Sequence, residues 1–305
     1  MIGFKMKRTL ISLALFMLLA GAGALSAASR PDMLVSMEWL AGHLNDPNVV
    51  VLQISRERAT WEAGHIPGAR FVALSDLVVT RDGVLNELPP AADLKKVFEA
   101  AGVSDSSRVI LYTDATVLPA TRAWFTFDYL GFGEHAALLD GGLQKWRAEN
   151  RALSKDAPQV TAGHFTPRLH PEVLATLEPV KDLSWSATNG SAAVVLLDAR
   201  TAEEFRGERA ASEITRPGHI PGAVNIFWQQ DAASKDSPAL RGETDLRKLY
   251  EAAGITPDKT VVTYCNTGMQ ATESYFTLKY LGYDTRLYDG SFSEWSSAKN
   301  TAVQK

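Results

Sequence analysis

Val261-Val262-Thr263-Tyr264-Cys265-Asn266-Thr267-Gly268-Met269-Gln270-Ala271-Thr272 sets the reading of the whole chain. Four β-prone residues run into the only cysteine, a loop with one glycine follows, and Glu273–Leu281 continues as an amphipathic helix. Cys265 therefore stands where a strand ends and a helix N-terminus points. Amide N–H groups and the helix dipole favour a thiolate there, so the thiol pKa is expected to be lowered. Gly268 lets the loop curl its amides toward one point, forming an anion nest suited to covalent chemistry on sulfur.

Working outward, the surroundings of this stretch occur twice. Gly64-His65-Ile66-Pro67-Gly68-Ala69 returns as Gly218-His219-Ile220-Pro221-Gly222-Ala223. Val109-Ile110-Leu111-Tyr112 matches Val261–Tyr264, Tyr129-Leu130-Gly131 matches Tyr280-Leu281-Gly282, and Leu139-Asp140-Gly141-Gly142 with Trp146 matches Tyr288-Asp289-Gly290-Ser291 with Trp295. A period of about 150 residues is a duplicated domain and not a solenoid unit. Each copy alternates short apolar runs with helical patterns. In the second, strands are expected at 193–197, 223–226, 260–264 and 285–288, and helices at 202–205, 246–253 and 272–281. That alternation predicts an α/β fold, each domain a parallel sheet with helices on both faces. Ligands of such sheets bind at the carboxyl ends of the strands, where Cys265 lies. The expected division is a first domain over 32–149, a proline-bearing linker over 150–185 and a second domain over 186–305.

The chain has 305 residues, 46% apolar and 22% charged, enough for two cores. A net charge of −4 leaves no electrostatic footprint for nucleic acid. Lys5, Lys7 and Arg8 precede the apolar run Thr9–Leu25, and Ser26-Ala27-Ala28 offers small residues for cleavage. Residues 1–27 thus read as a signal peptide, with Met6 a second possible start. The mature chain is expected in the periplasm or outside the cell, without stable membrane insertion. One cysteine cannot close an internal disulfide in such a compartment, which favours a chemical use for it. No residue pattern asks for a cofactor, and no His, Cys, Asp or Glu spacing suits a metal.

The paired His-Ile-Pro-Gly-Ala motifs, the Tyr-Cys-x-x-Gly loop and the Asp-Gly-x-x-x-x-Trp endings resemble the tandem-domain rhodaneses, the thiosulfate and 3-mercaptopyruvate sulfurtransferases. The resemblance spans roughly Asp32 to Ser296. It implies two rhodanese-like domains, the first an inactive copy. It implies that Cys265 accepts a sulfane sulfur from a small-molecule donor as a persulfide and passes it to a thiol or cyanide. It also implies that Asn266, Thr267, Gly268, Met269, Gln270 and Ala271 cradle that persulfide. The first copy has no thiol. Counting from the preceding tyrosines puts Thr113 opposite Cys265, and counting from Tyr-Leu-Gly puts Asp114 there.

Other residues divide between chemistry and architecture. Asp198 and Arg200 close a strand beside the loop, where the first copy has neither, and the family braces the loop at that place. Arg206, Arg209 and Arg216 lie in a stretch that the first copy lacks, and Arg216 is carried as a candidate donor contact. His65 and His219 occur in both copies, which reads as a structural turn. A relay from His65 to Thr267 is the alternative implied by mercaptopyruvate-type relatives. Glu204 departs from the arginine of vertebrate-type members, and Asn266 and Thr267 are neutral where thiosulfate-type loops are basic, so the donor stays open. A cysteine phosphatase needs an arginine at Ala271, and a dithiol oxidoreductase a cysteine at Gly268. A persulfide-sensing or partner-binding module is the remaining alternative to an enzyme.

Overall fold

The computed structural model describes residues 27–190, 193–234 and 237–305. The segment 1–27, expected as a signal peptide, lies outside them except for Ala27.

Strands rich in Val, Leu and Ile build two five-stranded parallel sheets. The first runs Leu34–Val35, Ala136–Leu139, Arg108–Tyr112, Val49–Ser55, Arg70–Ala73 in spatial order. The second runs Val224–Asn225, Val194–Asp198, Thr260–Tyr264, Asp284–Tyr288, Leu174–Ala175, which is the first order read backwards with each strand replaced by its repeat. Both central strands are buried on both faces, as their largely apolar runs lead one to expect. Each sheet is accompanied by a two-stranded antiparallel hairpin, Val79–Arg81 with Val84–Glu87 and Ala232–Ser234 with Ser237–Leu240.

The expected linker is too long. Pro171–Val173 forms a 3-10 turn, Leu174–Ala175 pairs with Leu287 and Tyr288, and Leu177–Thr188 is a helix on the second sheet. The second domain thus starts near Pro171, as the first starts at Pro31–Met33 followed by Leu34–Val35 and the helix Met37–His43. A strand of two residues is too short to show a period, so neither leading strand stands out in the sequence.

The domains meet along the helices that follow their two loops, Leu118–Tyr129 and Ala271–Tyr280. Both are buried nearly all round, which explains their weak amphipathicity. Thr121 Oγ1 lies 2.8 Å from Thr272 Oγ1, Trp124 stands edge-on to Phe276, and the Tyr275 hydroxyl donates to Asp128 at 2.6 Å. Because equivalent threonines touch, the two halves are related by a pseudo-two-fold axis through this contact.

Candidate active site

Cys265 directly follows the strand Thr260–Tyr264 and precedes the helix that begins at Ala271. Its backbone is fixed from one side: Phe292 N donates to Cys265 O at 2.9 Å, and Ser293 N to Asn266 O at 3.0 Å. In the first domain Leu143 N donates to Thr113 O at 3.0 Å in the same way. Thr113, and not Asp114, is therefore the structural counterpart of Cys265.

The amides of Ala271, Thr267 and Gln270 do face the sulfur and pull its pKa down, as the sequence leads one to expect. Burial is the larger effect, however, and pushes the Cys265 thiol up. The residue is 1% exposed. The expected lowering is thus reversed in this closed arrangement, because desolvation of a thiolate outweighs a few oriented amides.

Gly268 has φ +80°. A Cβ there would meet Asp289 O at 2.7 Å and its carboxylate at 3.0 Å, so only glycine lets the loop lie so close on Asp289. Ser291 is the site's second special backbone. It holds φ +52°, the left-handed region, where the first copy has Gly142 at φ +55°. In return its hydroxyl accepts from Cys265 N at 3.2 Å and donates to Tyr288 O at 2.8 Å. The glycine-to-serine difference was legible in the repeat, but its link to the cysteine was not.

Asp198 and Arg200 form a buried pair with bonds of 2.5 to 3.1 Å. Burial pulls the guanidinium pKa down, and the charge and bonds of Asp198 outweigh it, keeping Arg200 charged. Arg200 also donates to Gly218 O at 2.8 Å and faces Phe292 at 4.1 Å, tying the loop to the second His-Ile-Pro-Gly turn. Glu204, buried at the loop's mouth, accepts from Asn266 Nδ2 at 2.9 Å. Burial raises its pKa, but the bonds from Asn266 and Thr201 win and hold it below the usual carboxylate value. Arg209 stands 3.7 Å from it and is exposed.

One expected role changes, and two histidines take the structural role expected of them. Arg216 caps the helix Ser291–Ser297, donating to Trp295 O, Ser296 O, Ala298 O and Thr301 O, so its guanidinium is spent on backbone and leaves the donor site. His65 faces the carbonyls of Trp61 and Asp156 and stacks on Trp61, and His219 faces Phe205 O and stacks on Phe205. Both are turn residues, held by the upstream carbonyls of Trp61 and Phe205 and, for His65, also by Asp156 downstream. The relay partner Thr267 is instead bonded by Asn86 Nδ2 at 2.8 Å, from the first domain's hairpin.

That hairpin reveals the part of the site that sequence reasoning missed. Leu88 N donates to Asp289 Oδ2 at 2.7 Å, and Arg122 of the first domain grips the same carboxylate at 2.5 and 3.3 Å. The first domain thus clamps the residue on which Gly268 rests. Among the described residues no group of His, Cys, Asp or Glu could hold a metal ion, and no helix is long and apolar enough to cross a membrane.

Two α/β units on a pseudo-two-fold axis, with one strand-loop-helix thiol, define a duplicated domain that bears a thiol in one copy. The rhodanese-like domain model matches residues 36–149 and 183–298, and the chain belongs to that family. It is 34% identical to the sulfur carrier protein TtuD of Thermus thermophilus, over 91% of this chain and 98% of that one. It is also 34% identical to a thiosulfate sulfurtransferase of Azotobacter vinelandii, with the same two coverages. A crystal structure of the anaerobic ergothioneine biosynthesis enzyme from Chlorobium limicola superposes with a TM-score of 0.76 at 25% identity, covering 90% of this chain and 70% of that one.

Proposed function

We propose that this sulfurtransferase works by carrying sulfur on Cys265. The thiolate attacks the outer sulfur of thiosulfate or the thiol sulfur of 3-mercaptopyruvate. With thiosulfate, the S–S bond breaks and sulfite leaves with its electron pair; with 3-mercaptopyruvate, the C–S bond breaks and the departing enolate takes a proton. Cys265 is left as a persulfide. A thiol or cyanide then takes the outer sulfur and returns the thiolate.

The observation that carries the reading is the set of loop amides, Thr267, Gln270 and Ala271, converging on a sulfur that no structural role requires. The first copy keeps strand, loop and helix with Thr113 in its place. Those amides would stabilise charge on the attacked and persulfide sulfurs. Asn266 and Thr267, half-buried at the mouth, are where donor enters, and at 1% exposure of Cys265 that mouth must part first. Met269, Gln270 and Ala271 complete the cradle. Asp198 and Arg200 act as a brace and do not bind donor, since Asp198 occupies the guanidinium.

The ionised Glu204 beside Asn266 opposes a dianion more than a monoanion, which favours 3-mercaptopyruvate over thiosulfate. We place the reaction outside the cytoplasm, on the strength of the basic and apolar N-terminus.

The test is steady-state kinetics with each donor, using cyanide and a dithiol as acceptors. A persulfide carrier gives parallel double-reciprocal lines, and Glu204→Gln raises kcat/KM for thiosulfate more than for 3-mercaptopyruvate. Intersecting lines would mean that donor and acceptor bind together, with no carried sulfur.

A further inference from the structure

The pseudo-two-fold axis implies a second cleft, opposite the catalytic one. A cavity of about 340 Å³ lies there, walled by Ala115 and Val117 of the cysteine-less loop and by Trp228, Pro238 and Glu273 of the second domain. That size falls within the range of small-molecule sites.

Two of its wall residues carry polar groups with nothing to bind. Glu273 is 3% exposed and Trp228 8%, and neither Glu273 Oε2 nor Trp228 Nε1 has a hydrogen-bond partner among the described residues. Buried polar groups are rarely left so. A short way off, Asp231 is fully buried, its Oδ2 bonded by the Tyr250 hydroxyl at 2.8 Å and its Oδ1 unpartnered among the described residues.

The repeat says what is missing. Thr121 and Thr272 are equivalent, so the next residues, Arg122 and Glu273, are equivalent too. On the catalytic side Arg122 crosses to Asp289. On this side Glu273 and Asp140, the counterpart of Asp289, border one small void beside the cavity. Where one half has a guanidinium against a carboxylate, the other has two carboxylates. Lys145 approaches Asp140 only at 3.8 Å and from the exposed side. None of the described residues lining the main cavity is cationic.

We propose that this cavity binds a small organic cation, an ammonium or guanidinium whose charge is met by Glu273, whose body lies against Trp228 and which offers an acceptor to Trp228 Nε1. An aromatic wall beside a carboxylate is the arrangement that recognises such cations. The lack of Lys or Arg in the lining makes it a poor place for the anionic sulfur donors, so the two clefts take ligands of opposite charge.

Burial, with Asp231 adding to it, pushes the Glu273 carboxyl pKa up in the free protein. Entry of a cation pulls it back down, so binding is coupled to proton release. The other titratable and charged groups coupled to it are Asp231 and Tyr250, with Arg241 acting on Asp231, and Asp140 borders the adjoining void.

L-Arginine supplies the guanidinium that Arg122 supplies on the other side, with a carboxylate for Trp228. L-Citrulline is its uncharged isostere. Calorimetric titration of the mature chain, in two buffers of different ionisation enthalpy, is expected to show one saturable arginine site with proton release. Citrulline should bind at least tenfold more weakly, and Glu273→Gln should weaken arginine at least tenfold. Ala115→Phe fills the cavity from the other domain and should abolish binding even if Glu273→Gln fails to fold. No arginine binding, equal binding of citrulline, or arginine binding unchanged in these variants would overturn the proposal.

Discussion

The two clefts of this molecule are built from the same parts, and four of their substitutions set them apart. On the catalytic side the loop carries Cys265, the turn beneath it Ser291, the interface helix Arg122 and the opposing hairpin Asn86. On the other side the counterparts are Thr113, Gly142, Glu273 and Pro238. Each change has a physical consequence. Ser291 accepts a bond from the cysteine's own amide, which Gly142 cannot do. Asn86 holds Thr267 from across the interface, where a proline has no amide to offer. Arg122 neutralises Asp289 and so fixes the surface that Gly268 lies on, whereas Glu273 adds a second acid and leaves a cavity. One side is clamped and buried around its reactive atom, and the tip of the other loop, Ala115 and Thr116, is exposed. The duplicated domain is thus more than a wall: it supplies the cation and the amide that hold the active loop in place.

The comparison breaks most severely at Arg122. Arg122→Met leaves Asp289 buried with only the amide of Leu88, and removing one member of such a pair costs about 3–5 kcal/mol. Denaturant unfolding should report that loss, together with a fall in kcat as the ground under Gly268 loosens. The equivalent change on the other side, Glu273→Met, removes an unpaired acid and should be neutral or stabilising.

The acids of the open side make the next prediction. Burial above all raises Asp231 to about 7, with the Tyr250 bond working against it. Its folded pKa lies above the unfolded value of 3.8, so the folded state holds the extra proton. Its contribution to stability is complete below about pH 4 and is lost as pH rises through about 7, by a few kcal/mol at about 1.4 kcal/mol per unit. Asp231→Asn should flatten this part of the stability–pH curve; an unchanged slope would place the titration elsewhere.

The smallest expected effect is at Asn86. Asn86→Ala removes one hydrogen bond to the active loop, worth about 1 kcal/mol or less in stability. Turnover should fall more than stability does, because Thr267 borders the sulfur, and Asn86→Gln should restore part of it. Equal turnover in Asn86→Ala would show that the loop holds itself.

Much of this was legible before any coordinates. The repeat gave the two α/β domains, because apolar strands buried on both faces announce themselves and the motifs recur in order. The strand-loop-helix reading placed Cys265 correctly, and the paired Asp198 and Arg200 beside it. What failed did so for identifiable reasons. Leu174–Ala175 is too short to carry a period, so the linker absorbed the start of the second domain. Arg216 looked like an anion contact because charge is visible in sequence and helix-end carbonyls are not. The loop amides that lower the thiol pKa show in the sequence, whereas the burial that outweighs them and raises it does not. Arg122, Asn86 and Asp289 could not be assigned, since their meaning lies in contacts between residues 167 and 181 positions apart.

The central claim is that Cys265 carries the transferred sulfur. Intact-mass spectrometry of the mature protein, after exposure to thiosulfate or 3-mercaptopyruvate and removal of excess donor, tests it most directly. The wild type should gain one sulfur atom, located on Cys265 by fragmentation and lost on adding cyanide with thiocyanate formed. Cys265→Ser should stay folded, as the thiol-free first copy does, and gain nothing. A wild-type protein that turns donor over without any adduct, or a Cys265→Ser variant that still transfers sulfur, would contradict it.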